Sequence, residues 1–183
     1  MRYEGSNFFV ITGGPGAGKT TLVEALSAQG LRCVEEAGRQ ILREQARIGG
    51  NATHDGDRIA YRELMLSRSI FGYEQAMEQK RPVLFDRGIP DLIGYSHLIG
   101  ADVPAYLENA VALYRYNRHV FMAPPWEDIY VHDAERRQDF REAVATHDAI
   151  RRAYQEAGYE PVELPKASVE ARVDHVLATL RGL

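Results

Sequence analysis

Short apolar runs alternate along the chain with longer stretches whose apolar residues recur every three or four positions. That alternation predicts an α/β fold in which helices cross between the strands of a parallel sheet. Phe8-Phe9-Val10-Ile11 reads as a buried first strand and Lys19 to Gln29 as the helix after it. Leu31 to Val34 is a short second strand ending in Glu35-Glu36; a helix follows through about Arg47, then a polar loop at 49–57. The pattern predicts a long helix over Arg58 to Gln79, with Ile59, Leu64, Ile70, Phe71 and Met77 facing inward. Val83-Leu84-Phe85 is a third strand, broken by Asp86-Arg87-Gly88, and helices are predicted over 91–99 and 103–115. His119 to Met122 forms a fourth strand, stopped by Pro124-Pro125. After the charged stretch Glu135 to Arg141 a helix runs to about Gln155, closed by Gly158 in the C-cap manner. Val162-Glu163-Leu164 is a fifth strand and 168–181 a closing helix. A doubly wound sheet of this kind binds its ligand beyond the strands' C-terminal ends.

Bulk properties narrow the picture. The 183 residues fit one domain, 1–183, with no repeat, linker or low-complexity segment. A formal charge of −4 argues against a general nucleic-acid binder, which needs a basic balance or stripe. The lone Cys33 excludes an internal disulfide and suits a reducing compartment. Phe8 to Ile11 is too short for a signal-peptide core or a membrane span, and no other stretch approaches one. These features predict a soluble cytoplasmic protein without nucleic-acid or membrane partners. They carry no signal for oligomeric state.

Gly13-Gly14-Pro15-Gly16-Ala17-Gly18-Lys19-Thr20 fits G-x-x-x-x-G-K-[ST] at every defined position. Phosphate oxygens need several backbone N–H donors converging on one point, which requires small side chains and free φ. The helix starting near Lys19 adds its unpaired N–H groups and positive dipole end. Lys19 brings a point charge to the β- and γ-phosphates, Thr20 offers a hydroxyl to Mg²⁺, and Thr21 follows as a further nucleotide contact. A glycine-rich turn between strand and helix is the plain alternative, but the preceding strand and following helix sit where a phosphate loop requires them.

Mg²⁺ chemistry also needs an acid on a neighbouring strand. Asp86 directly follows Val83-Leu84-Phe85, with Arg87 beside it to hold a polar or anionic substrate group. A surface Asp–Arg pair closing a turn is the rival reading. Glu35 and Glu36 end the second strand, and alternation turns at most one toward the site. Glu36 is the candidate proton acceptor and Arg39, one turn on, a candidate substrate contact; the alternative is helix-start acids complementing the dipole. Arg136 and Arg137, after the fourth strand, suit a mobile lid that stabilises charge on a moving phosphoryl group, or else a solvated helix start. His54, His97, His132 and His147 form no metal-ligand spacing.

Together, FFVITGGPGAGKTTL, VEEAGRQIL, PVLFDRGIPDLIGYS and ERRQDFREA resemble P-loop kinases of the deoxynucleoside and thymidylate kinase type. More closely, the chain resembles small predicted bacterial ATPases related to nicotinamide riboside kinases. The resemblance implies a three-layer sandwich with a five-stranded sheet of order 2-3-1-4-5 and a short helical lid near 127–141. It implies a proton-accepting acid at Glu36, a metal-linked acid at Asp86, a substrate-binding Arg87, and lid arginines Arg136 and Arg137. The chain departs from the deoxynucleoside kinases in having Asp-Arg-Gly where they have Glu-Arg-Ser, so the resemblance names a nucleotide, ATP with Mg²⁺, and not an acceptor.

Three functions fit these residues: a kinase moving the γ-phosphoryl of ATP to a small-molecule acceptor, a nucleoside triphosphatase, or a nucleotide-operated binding switch. A GTPase-like switch lacks an Asn-Lys-x-Asp segment, and its D-x-x-G motif occurs only as Asp91 to Gly94, past the strand end. An AAA-type motor would carry Asp-Glu at the second acid and a separate helical domain.

Overall fold

A computed structural model of the chain describes residues 3–130 and 140–182. In order, the elements are β1 (Tyr3–Glu4), β2 (Phe8–Gly13), α1 (Lys19–Ala28), β3 (Arg32–Val34), α2 (Ala37–Ile48), α3 (Arg58–Ala76) and β4 (Val83–Asp86). Then follow α4 (Asp91–Leu98), α5 (Ala105–Leu113), β5 (Tyr114–Arg115), β6 (His119–Ala123), a 3-10 turn (Glu127–Ile129), α6 (Phe140–Glu156), β7 (Glu160–Glu163) and α7 (Val169–Gly182).

The alternation within β2 sets the layers. Phe8 and Val10 point to one face of the sheet, where they meet Tyr73 of α3, Leu92 of α4, Leu107 of α5 and Tyr154 of α6. Phe9 and Ile11 point to the other, against Leu22 and Leu26 of α1 and Val173 and Val176 of α7. With helices on both faces, β2 is buried along its whole length, as parallel strands are in this kind of sandwich. The sheet is five-stranded and parallel, in the order β3-β4-β2-β6-β7. Counted among themselves, these strands lie 2-3-1-4-5.

Two details differ from the sequence reading. The helix predicted over 103–115 stops at Leu113, and Tyr114-Arg115 pairs in parallel with Tyr3-Glu4 as a separate small sheet. Tyr73 fixes this pair, because its hydroxyl donates to the Arg115 carbonyl at 2.6 Å while Tyr3 and Tyr114 stack with ring centroids 5.3 Å apart. Ile59 and Phe71 of α3 and Met77 just past its end are 44%, 60% and 44% exposed, so the inward stripe predicted there is wrong at these positions. Tyr61, Leu66, Tyr73 and Ala76 face the core instead. Tyrosine serves as a core residue here because its hydroxyl finds a backbone acceptor. The start of α3 is fixed locally, by the Asp57 carboxylate accepting from the Ala60 N–H at 2.9 Å.

No helix among the described residues is long and apolar enough to cross a membrane. The predicted lid at 127–141 lies mostly outside the described residues, as do Arg136, Arg137 and His132.

Leu84 is fully buried at the centre of β4. Leu84→Ala is expected to lower unfolding stability by about 2–5 kcal/mol. Phe71→Ala is expected to change it by about 0.5 kcal/mol or less. Urea titration of both variants checks the inside and outside of this fold; equal losses would contradict the orientation of α3.

Candidate nucleotide site

Parallel register gathers the strands' C-terminal ends. Ile11 lies opposite Asp86 on β4, and Gly13 opposite Ala123 on β6. The loop between Gly13 and Gly18 leaves the sheet there and passes straight into α1. Gly13 has φ of +134°, and a side chain on it would strike the Ala123 carbonyl. Only glycine serves at that point. Lys19 opens α1 and curls back, donating from Nζ to the carbonyls of Gly13 at 3.1 Å and Gly14 at 2.7 Å. Burial, and then the charge of Arg87, lower its pKa to about 8 against the opposing pull of Glu36, Asp86 and Asp91.

Arg87 follows β4 with φ of 71°, the left-handed region, and is the non-glycine residue found there among those described. Its Nε donates to Glu36 Oε1 at 2.8 Å, and its Nη1 to Asp91 Oδ1 at 2.9 Å and the Gly13 carbonyl at 3.1 Å. Burial disfavours the guanidinium, but Glu36, Asp91 and Asp86 outweigh it and hold the proton more firmly than usual. Glu36 caps the gap between β3 and α2. Burial would raise its pKa, yet Arg87 and then Lys19 hold the carboxyl below its ordinary range. Glu35 is exposed, as strand alternation requires.

Asp86 sits opposite these cations with its Oδ1 buried and without a hydrogen-bond partner. Burial, reinforced by the charge of Glu36, pushes its pKa up. An orphaned carboxylate oxygen beside a phosphate loop is a place for a hard cation, and with the Thr20 hydroxyl it makes an all-oxygen donor set. That fits Mg²⁺, which takes one or two protein oxygens and completes its shell with phosphate and water. Thr20 Oγ1 accepts from Arg39 Nη2 at 3.1 Å, and Arg39 Nε lies 3.5 Å from Glu36 Oε2. Thus the structure brings Lys19, Thr20, Glu36, Arg39, Asp86 and Arg87 together. Thr21 is exposed on the first turn of α1. Pro15, Gly16 and Ala17 form the crest of the loop, where the Tyr130 ring closes on Gly16. A narrow recess lined by Glu36, Gly38, Met65, Arg68 and Asp86 opens beside the cluster.

Asp91 was read from sequence only as part of an ill-placed D-x-x-G. It is buried at the start of α4 and accepts from Thr12 Oγ1 at 2.5 Å, Tyr154 Oη at 2.6 Å, the Gly88 N–H at 3.0 Å and Arg87. Arg87 precedes α4 in a left-handed conformation, so no helical spacing signals this pair.

A strand, glycine-rich loop and helix with an invading lysine, an acid on the adjacent strand and a doubly wound sheet define a P-loop nucleotide-binding domain. The model of a family described as an AAA domain matches residues 8–172, and the chain belongs to that family. The acid pair is nonetheless Asp86-Arg87, not the Asp-Glu of an AAA-type motor. No curated protein matches. Among solved structures, deoxyadenosine kinase from M. mycoides with dCMP and dCDP is similar at TM-score 0.71 and 14% identity, over 96% of this chain and 100% of that one. Thymidylate kinase from Ehrlichia chaffeensis is similar at 0.65 and 16%, over 97% and 99%. The NadR protein in complex with NR is similar at 0.75 and 17%, over 97% of this chain and 51% of NadR. At such identities the likeness shows the fold, that of P-loop kinases.

Lys19 must be charged to hold a phosphate but starts from a pKa of about 8. A bound phosphate favours the charged form, so binding takes up a proton above that pH. ADP affinity without divalent ions is expected to be level to about pH 8 and then fall by up to about tenfold per pH unit. Calorimetry in buffers of different ionisation heat reads the proton uptake at pH 9, which Lys19→Met should abolish. A flat wild-type profile would separate Lys19 from the phosphates.

Proposed function

We propose that this chain is a phosphotransferase that moves the γ-phosphoryl of ATP, bound with Mg²⁺, to a hydroxyl or phosphate of a small-molecule acceptor. The single observation that carries this reading is the place of Glu36. Its carboxylate lines the recess beside Asp86 and is fixed by Arg87 at 2.8 Å, on the rim that also holds Lys19. A triphosphatase has no need of an ionised carboxylate facing a separate recess. The kinase names of the structures that share the fold support the same reading.

In this reading the loop amides from Gly13 to Thr20 and the Lys19 ammonium bind the phosphates, and Thr21 adds a contact beside them. Thr20 and Asp86 would hold Mg²⁺, which supplies charge neutralisation at the β- and γ-phosphates when bound. The acceptor lies in the recess, with Arg87 on its wall and Arg39 beside Glu36 as a further contact. Its oxygen forms a bond to the γ-phosphorus as the bond from that phosphorus to the β–γ bridging oxygen breaks. ADP leaves with the electron pair, and the acceptor proton passes to Glu36, which Arg87 and Lys19 keep ionised at neutral pH. In the same reading Arg136 and Arg137, which lie outside the described residues, would bear on the charge of the moving group. The protein acts as one domain, in the cytoplasm.

A screen of hydroxylated and phosphorylated metabolites with ATP tests the reading. The true acceptor is expected to raise ADP release by orders of magnitude over the acceptor-free rate. Glu36→Gln is expected to remove mainly the stimulated part, by about 10²- to 10⁴-fold. Steady acceptor-free turnover of roughly 1–10 s⁻¹, within the ordinary enzyme range, would make the protein a triphosphatase instead.

A further inference from the structure

Arg172 lies in the first turn of α7, which packs against α1. It is 3% exposed. Its Nη1 donates to the Ala17 carbonyl at 3.0 Å, and a Cβ on Gly18 would lie 2.9 Å from the same atom. The guanidinium therefore sits directly behind the loop's last two residues before Lys19. Its Nε is buried with no hydrogen-bond partner.

A buried charge is ordinarily paired. Arg62, equally buried, has Glu63 at 2.7 Å, and Arg87 has Glu36 and Asp91. Among the described residues no carboxylate pairs with Arg172, and burial alone acts on its pKa, lowering it. The one bond it makes, to a neutral carbonyl, holds the loop but leaves the charge uncompensated. The polyphosphate expected on this loop is an anion of the right sign, and low dielectric between the two would strengthen the attraction.

We propose that Arg172 is a second cation of the phosphate site, placed behind the loop, whose counterion is the bound nucleoside di- or triphosphate. The inference rests on reading residues 13–20 as a nucleotide phosphate site. Lys19 works from the front of the loop and Arg172 from the back. In the empty protein Arg172 costs stability, and the bound phosphates recover that cost as affinity. Its contribution grows with the number of phosphates on the ligand and is less sensitive to salt than a surface contact.

The test is calorimetric titration of the full chain with ADP and with AMP, for wild type, R172K, R172Q and R172M, together with the melting temperature of each without ligand. Arg172→Lys keeps the charge; Arg172→Gln keeps a hydrogen-bond donor for Ala17 without it. ADP affinity is expected to stay within about threefold in R172K and to fall at least about tenfold in R172Q and R172M. The loss for AMP should be smaller, and R172M should melt no lower than wild type. If R172Q binds ADP like wild type, Arg172 is a structural pin and the proposal is overturned while the nucleotide site stands. Unfolding of R172M would also overturn it, since that would show the guanidinium stabilising the empty protein. If wild type fails to bind ADP at all, the nucleotide reading falls and the proposal with it.

Discussion

Arg87 ties together three segments that are distant in sequence. One guanidinium bonds the acid that ends the second strand of the main sheet, the first residue of α4 and a carbonyl of the phosphate loop. To reach them its backbone adopts a left-handed conformation that costs a non-glycine residue roughly 1–2 kcal/mol. Charge-assisted hydrogen bonds of this kind are the strong ones, and together they outweigh that strain. The position of Glu36 relative to the loop therefore follows from Arg87, and the position of Arg87 follows from Asp91.

Asp91 is in turn held by Thr12, Tyr154 and the Gly88 N–H, so the chain of constraint runs back to β2 and α6. A rim built this way gives the two carboxylates that line the recess, Glu36 and Asp86, different characters. Glu36 is kept ionised by the cations around it, whereas Asp86 is pushed toward protonation by burial and by Glu36 itself. The first state suits a proton acceptor; the second is relieved by a bound cation. Separation of roles by environment is how neighbouring carboxylates serve one reaction.

The strands and most helices were legible because their patterns are local: apolar runs, a complete phosphate-loop motif, and an N-cap such as Asp57. The candidate residues on the loop and at the two strand ends were legible for the same reason, since parallel strands with helical crossovers deliver those ends to one edge. The rest depended on tertiary partners. No pattern marks Tyr73 and Tyr154, whose hydroxyls meet the Arg115 carbonyl and Asp91, and Phe71 reads as core although it is 60% exposed. Asp91 falls only in the misplaced D-x-x-G, and Arg172 in no motif. Their contacts come from a turn at Gly88 and from the packing of α7 against α1, neither of which is written in nearby residues.

The central claim is that this rim binds the phosphates of a nucleotide through Lys19, with the cation held by Asp86 and Thr20. Titration calorimetry of ATP into wild type, Lys19→Ala and Asp86→Asn, each with Mg²⁺ and with EDTA, tests it most directly. The account predicts tight binding by wild type with Mg²⁺, weak or absent binding by Lys19→Ala in both conditions, and an Asp86→Asn protein that binds metal-free ATP at least as well as wild type but gains little from Mg²⁺. Equal ATP affinity in all three proteins, indifferent to EDTA, would contradict it.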